Sequence, residues 1–327
     1  MVNKFWTVLE CSRVFSLPMT IFSWLVVFVY SITDSGNLLY GFLAFLGVCL
    51  VHLGTNILDD YFDYKSLIKQ VNFNKSEYLK NSQKTKCRYL VAGILNETDV
   101  LSVAGVYFCF AGLIGLFFFY KCGMPVVYFA SSAAVIVLLY SFISKIRLSE
   151  IAVGLTYGPL LFGGVYYVMT KTISSEPFIL CIPTMIMTVV LLYIHTVMDY
   201  EFDLNEGHKT LANSFDSQLD ALIVLKIFLI LAYLSVALLC IFDLADWQVF
   251  LSWLTIPLAA DLFKSMTDYS IDSSSVPEKK WYHYPMENMK RIEKMGAESF
   301  MIRMYQSRNL MIYFSLFLTI GLVLSIL

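Results

Sequence analysis

An all-α, polytopic membrane bundle is the fold this sequence predicts, and three observations predict it. Hydrophobic residues fill 58% of the 327 positions and charged residues only 15%, where a soluble domain carries about 45–50% and about 25%. The apolar residues gather in runs of roughly 17–24, each long enough to cross a hydrocarbon core of about 30 Å as a helix. Lysine and arginine collect in alternate loops between those runs. Backbone groups inside a bilayer must be satisfied internally, which helices do. Residues 1–327 therefore read as one membrane domain.

Nine spans are expected, at residues 15–33, 37–58, 99–120, 125–145, 150–170, 177–198, 219–242, 247–266 and 309–327. The first follows a charged, aromatic segment (Lys4, Phe5, Trp6, Glu10, Arg13) with no small-residue cleavage site, which argues against a removable signal peptide. The fifth carries Gly154, Gly158, Pro159, Gly163 and Gly164. Such residues weaken a soluble helix, but membrane helices tolerate them and use the small ones for close packing. The seven cysteines form no CxxC pair and mostly lie in apolar runs, so neither a disulfide framework nor a zinc site is expected.

The loops then set the orientation. Lys65, Lys69, Lys75, Lys80, Lys84, Lys86 and Arg88 follow span two, Lys145 and Arg147 follow span four, and Lys209 follows span six. Lys279, Lys280, Lys290, Arg291, Lys294, Arg303 and Arg308 follow span eight, while the opposite loops hold only Lys121 and Lys171. By the positive-inside rule the N-terminus and the basic loops are cytoplasmic and the C-terminus lies outside. Residues 59–98 and 267–308 are too long for simple connections and are expected to cap the cytoplasmic face. Apolar and basic residues alternate across 285–309, which suits an amphipathic helix lying on the bilayer or a helix capping the bundle.

Two segments carry the chemistry. At the cytoplasmic end of span two, Asn56, Asp60 and Asp63 are four and three apart and share a helical face, with Asp59 offset from it. At the end of span six, Asp199 and Asp203 are one turn apart. The segments align: His52 precedes Asn56 and Asp60, and His195 precedes Asp199 and Asp203, always at intervals of four. Carboxylates in or beside apolar helices are unfavourable and normally functional. Gathered together they need a cation, and hard oxygen ligands suit magnesium, which takes a few carboxylates plus substrate phosphates. A diphosphate held through Mg2+ between matching half-sites is the expected arrangement. A solvated helix end would explain one such pair, but two matching sets on one membrane side are harder to dismiss. Asp59-Asp60-Tyr61-Phe62-Asp63 also reads as DDxxD, the motif of soluble prenyl diphosphate synthases, which ionise the same substrate class.

Asn56–Asp63 and Asp199–Thr210 resemble the two aspartate-rich motifs of the UbiA superfamily of intramembrane prenyltransferases, and the likeness covers nearly the whole chain. Phe15–Thr20 is similar to that family's approach to its first helix, and Arg88–Gly93 to the segment before its third. Leu148–Gly154, Gly158–Leu161 and Gly207–Ala212 are similar to its menaquinone-type branch, which attaches polyprenyl chains to 1,4-dihydroxy-2-naphthoate. The chain departs from the pattern at Asp59, where asparagine is commoner, and at Leu67, Ile68 and Lys69, where a further acid often stands. Tyr140 and Lys145 are five apart, where the family's element has four.

The resemblance implies a polyprenyl diphosphate and a small aromatic acceptor as substrates. It implies Mg2+ on Asn56, Asp59, Asp60, Asp63, Asp199 and Asp203, with Arg88 and Lys209 balancing phosphate charge and Tyr140 and Lys145 beside the allylic cation. His52 and His195, one turn deeper, are candidates for acceptor contact or base, and Asp261 is a weaker one. A bacterial inner (plasma) membrane is the expected location, the lipid bilayer a partner, and nucleic acid not one. Another acceptor, a membrane terpene cyclase and an ion-coupled transporter are the competing readings. A transporter would place its acids near the bilayer midplane on broken helices.

Overall fold

The structure, a computed structural model, describes residues 4–70, 73–80, 87–143, 146–206 and 209–326. All regular structure among the described residues is helical. A short helix α1 (Lys4–Cys11) and a 3-10 turn at Val14–Ser16 lead into α2 (Pro18–Thr33), where Pro18 takes the first helical position, which needs no N–H. Helix α3 (Leu38–Leu67) is started by Asn37, whose side chain accepts from the Tyr40 N–H at 3.1 Å. Its 30 residues span about 45 Å, so the acidic last turns extend past the bilayer core.

Two short helices, α4 (Lys75–Lys80) and α5 (Arg88–Ala92), follow. A capping box at Asn96 and Asp99 opens α6 (Glu97–Cys122), and α7 (Pro125–Ile143) comes next. Helices α8 (Ser149–Leu155) and α9 (Leu161–Thr170) are joined through a π-helical stretch, Thr156–Leu160. Then come α10 (Glu176–Leu180), α11 (Ile182–Met198), α12 (Tyr200–Glu206) and α13 (Gln218–Ile241). A 3-10 stretch, Trp247–Thr255, runs into α14 (Ile256–Ile271), and α15 (Met289–Lys294) precedes α16 (Glu298–Ile326).

Among the described residues, eight helical segments are long and apolar enough to cross a membrane, and Pro125–Tyr140 in α7, the expected fourth span, is a shorter apolar helix. Helix α2 packs against α3, α9, α11 and α16, which places it between the two acid-bearing helices α3 and α11. Val26, Val27, Phe162, Tyr193, Ile194 and Phe314 are fully enclosed at this junction. Lipid tails are as apolar as leucine, so close packing must hold these helices together. Gly41 shows how close: a Cβ there would stand 2.5 Å from the Phe28 ring.

The segment 285–309 differs from an interfacial helix. Residues 298–309 form the first turns of α16, and Arg303, Arg308 and Asn309 are buried. Arg303 donates to the carbonyls of Ser265, Ser275 and Ser299, each at 2.8 Å, and stacks 4.9 Å from the Tyr269 ring centre. Arg308 donates to Glu287 and the Pro285 carbonyl, and Asn309 to the carbonyls of His283 and Pro285. These basic residues latch loop 272–297 onto the bundle instead of facing lipid headgroups. Asp261 joins the latch through Lys280 at 2.7 Å and through the Tyr282 hydroxyl, so it anchors this loop. Arg303→Leu would strand several buried acceptors, with an expected loss of about 3 kcal/mol or more. The thermal midpoint in detergent should fall and protease should cut within 272–297; an unchanged midpoint and an intact loop would remove the latch from the account.

Candidate active site

The continuous helix α3 carries Asn56, Asp59, Asp60 and Asp63 over its last turns. Asp60 is only 3% exposed. Its carboxylate receives the Arg13 guanidinium, whose Nη2 also lies 3.7 Å from Asp59 Oδ2. The Cys87 N–H, at the start of α5, reaches Asp60 Oδ2 at 3.4 Å, so the cap loop closes over the same group. Arg13 sits in the left-handed region (φ 53, ψ 48) between α1 and the 3-10 turn, a bend that aims it at α3. Burial would lower its pKa, but Asp60 and then Asp59 outweigh burial and hold it above the ordinary arginine range.

Arg13 is the residue that reading for chemistry passed over. It stood among several charges ahead of the first span. The available signal was its place beside an apolar helix, where a charge needs a partner.

Asn56 donates through Nδ2 to the Ser12 carbonyl at 3.0 Å and to Ser16 Oγ at 3.2 Å, so its amide oxygen is the atom it offers elsewhere. One turn deeper, His52 is enclosed by hydroxyls: Ser16 Oγ lies 2.7 Å from Nε2, and Thr20 Oγ1 and Tyr157 Oη lie 2.6 and 2.7 Å from Nδ1.

The second cluster is built differently. Asp199 falls at a break between α11 and α12 (φ −88, ψ 6), and His195 Nδ1 stands 3.2 Å from its Oδ2. The His195 ring meets the Phe300 ring edge-on at 5.6 Å. Asp203 is buried on α12. Tyr269 donates to the Met198 carbonyl at 3.2 Å, tying α14 to the same helix end. The two histidines match in sequence spacing, yet His52 faces hydroxyls and His195 faces its own aspartate.

Both clusters lie at one end of the bundle. The loop carrying α15 meets α1 at Glu10, three residues before Arg13 and 3.3 Å from Arg291, and leads into α16, whose Phe300 covers the second. Helix α8 adds Glu150, a buried carboxyl that accepts from Ser149 Oγ at 2.9 Å and lies 3.5 Å from Thr196 Oγ1, next to His195. Its motif resembled a family segment, but its closeness to Thr196 was not readable.

Other expected residues are placed less centrally. Arg88 donates to the Leu79 carbonyl and so ties α5 to α4. Lys209 is exposed in the loop after α12. Tyr140 neighbours Tyr157. Lys145 lies outside the described residues.

Among the described residues, no three His, Cys, Asp or Glu side chains close on a common point. Magnesium does not require such a cage, because it takes one or two carboxylates and completes its shell with phosphate oxygens and water. The donors here are hard oxygens, and the Asn56 amide is turned with its nitrogen spent on protein partners. The site therefore fits a magnesium ion that arrives with a phosphate ligand.

A family model described as the UbiA prenyltransferase family matches residues 17–292. No curated protein matches. Among solved structures, a digeranylgeranylglyceryl phosphate synthase from membranes is 16% identical with TM-score 0.57, covering 98% of this chain and 99% of the other. A UbiA homologue from Archaeoglobus fulgidus bound to GPP and Mg2+ is 16% identical with TM-score 0.56, covering 93% and 99%. A UbiA homologue from Aeropyrum pernix K1 is 14% identical with TM-score 0.58, covering 94% and 98%. At these identities the likeness is one of fold.

Proposed function

We propose, since this chain belongs to the UbiA prenyltransferase family, that it uses Mg2+ to move a polyprenyl group from its diphosphate onto a small aromatic acceptor, 1,4-dihydroxy-2-naphthoate, in a menaquinone-type pathway. The observation that carries this reading is the pair of acidic helix ends at one end of the bundle, with Arg13 already on the first. GPP and Mg2+ in the Archaeoglobus fulgidus homologue support the substrate class and the metal. The menaquinone-type acceptor rests on the Leu148–Gly154 and Gly207–Ala212 likenesses.

Asn56, Asp59, Asp60 and Asp63 would hold the metal from α3, Asp199 from the end of α11 and Asp203 from α12. A Mg2+ ion held by these residues would supply positive charge against the diphosphate leaving group. Arg13, Arg88 and Lys209 supply further positive charge where negative charge develops. The apolar interior between α2, α3, α9 and α11 would keep water from the allylic cation until the acceptor ring attacks it and regains aromaticity by releasing a proton or, at the carboxyl-bearing carbon, carbon dioxide. Tyr140 would stabilise that cation through its ring face. We place the chain in a bacterial inner (plasma) membrane with this end in the cytoplasm.

Inside-out vesicles and detergent-purified protein, given geranylgeranyl diphosphate and a panel of aromatic acids, should yield prenylated naphthoate. Chelation should stop turnover, and right-side-out vesicles should be much less active toward a water-soluble acceptor. Products without any acceptor would support a terpene cyclase, and equal activity in both vesicle types would contradict the orientation.

A further inference from the structure

The cluster around His52 lets hydrogen positions be assigned by elimination. Ser16 Oγ donates its single hydrogen to the Arg13 carbonyl at 2.7 Å. With that hydrogen on the carbonyl, Ser16 can only accept from His52 Nε2, also 2.7 Å away, and the tautomer with the ring hydrogen on Nε2 is the one we assign. The partners of His52 are hydroxyls and not carboxylates, which suits a neutral ring whose Nδ1 is a bare acceptor. Thr20 Oγ1 and Tyr157 Oη both crowd that one lone pair, which brings the two hydroxyls beside each other. Two assignments avoid a clash. Tyr157 donates to Nδ1 with Thr20 donating to Tyr157, or Thr20 donates to Nδ1 with Tyr157 donating to Thr20. In both, the Tyr157 hydrogen is spent inside the cluster, and the phenol oxygen has only accepting capacity left.

Tyr157 sits in the π-helical stretch Thr156–Leu160, where Gly158 departs from helical angles (φ −98, ψ −108) and Pro159 lacks an N–H. A Cβ on Gly158 would lie 2.6 Å from the Met185 sulfur, so this bend is packed tightly against α11. Such bulges recur at functional sites. His52 is buried at 7% exposure, Thr20 is fully enclosed, and Tyr157 alone of the three keeps partial exposure. Because His52 precedes Asn56 by four residues, the cluster lies about one turn, or ~6 Å, deeper than the first metal donor. On the proposed reading, the prenyl chain and the attacking ring lie on this deeper side of the diphosphate.

We propose that Tyr157 recognises the aromatic acceptor by accepting a hydrogen bond from a ring hydroxyl, and that His52 is the positioning residue that keeps the phenol in this accepting state. This deepens the prenyltransferase reading and rests on it. The chemistry selects a hydrogen-bond donor on the ring, so a free phenol is favoured over its ether, and a carboxylate is turned away from this point. Drawing on the O–H also pushes electron density into the ring that must attack.

The test uses the full chain in detergent with magnesium, geranylgeranyl diphosphate, and 1,4-dihydroxy-2-naphthoate against its two mono-O-methyl ethers. Wild-type protein should disfavour at least one ether by about tenfold or more in kcat/KM. Tyr157→Phe should raise the KM of the dihydroxy acceptor about tenfold and erase that preference. Its affinity for geranylgeranyl diphosphate, read by calorimetric titration, should stay within about twofold of wild type. His52→Ala should copy Tyr157→Phe, and His52→Asn, whose side-chain oxygen stands where Nδ1 stood, should recover much of the loss. An undiminished ether preference in Tyr157→Phe, or an equal fall in diphosphate affinity, overturns the assignment. If Tyr157→Phe does not fold, the His52→Ala and His52→Asn pair decides alone, and equal acceptor KM values in the two overturn it. Wild-type protein that binds no geranylgeranyl diphosphate with magnesium would overturn the underlying reading instead, in the same titration.

Discussion

Asp63→Ala and Asp199→Ala are each expected to lower kcat/KM by about a thousandfold while the protein stays folded. The magnitude is that of removing one charge-stabilising element from a preorganised site. Stability should hold because an acid beside an apolar helix is unfavourable for folding to begin with. Asp63 is half-buried on the last turns of α3, and Asp199 marks the break between α11 and α12. Conservative Asp→Asn changes keep shape and remove charge, so they should shift the magnesium concentration for half-maximal rate upward. Near-normal turnover in either alanine variant would return these residues to the status of solvated helix ends.

Arg13→Met should be the most destabilising single change at the site when magnesium is withheld. It leaves the buried Asp60 carboxylate without its cation, and breaking a buried pair on one side costs about 3–5 kcal/mol. Arg13 itself is partly exposed, at 26% of its side chain, so the lower end of that range is expected. Magnesium with geranylgeranyl diphosphate should restore much of the lost thermal midpoint, because a ligand that binds only folded protein stabilises it. Pairing Arg13→Met with Asp60→Asn removes both charges and should recover stability in chelator. Arg13→Lys should be intermediate, since a lysine keeps the charge but not the planar fork. An Arg13→Met midpoint equal to wild type in chelator would show that Asp60 is neutralised by something else.

What the sequence made legible follows from what is local. Apolar runs located the crossing helices, because length and composition are carried by neighbours along the chain. The i, i+4 spacing of Asn56 and Asp60 gave a shared face on α3 because that helix continues unbroken to Leu67. The same spacing held at Asp199, where His195 meets the aspartate four residues on and the Asp203 N–H returns to the Asp199 carbonyl at 2.8 Å, but it gave no sign that α11 ends there. The last span was expected from 309, with a separate surface or capping helix across 285–309, whereas one continuous helix, α16, runs from Glu298 and takes in Arg303 and Arg308. Five hydrogen bonds bury Arg303. The contacts that define the site join residues far apart: Arg13 and Asp60 are separated by 47 positions, and His52 and Tyr157 by 105. No periodicity encodes such pairs. Gly158 and Pro159 did mark the weak point of the fifth span, and the π-helical stretch formed there.

The whole account depends on α3 and α11 serving one diphosphate. The direct measurement is a structure of the purified protein with manganese in place of magnesium and geranylgeranyl thiodiphosphate, the metal located by its anomalous signal. The account predicts one diphosphate bridging the two helix ends, with metal density beside Asp60 or Asp63 on one side and Asp199 or Asp203 on the other. A diphosphate held by one cluster alone, with the other turned to solvent, would contradict it.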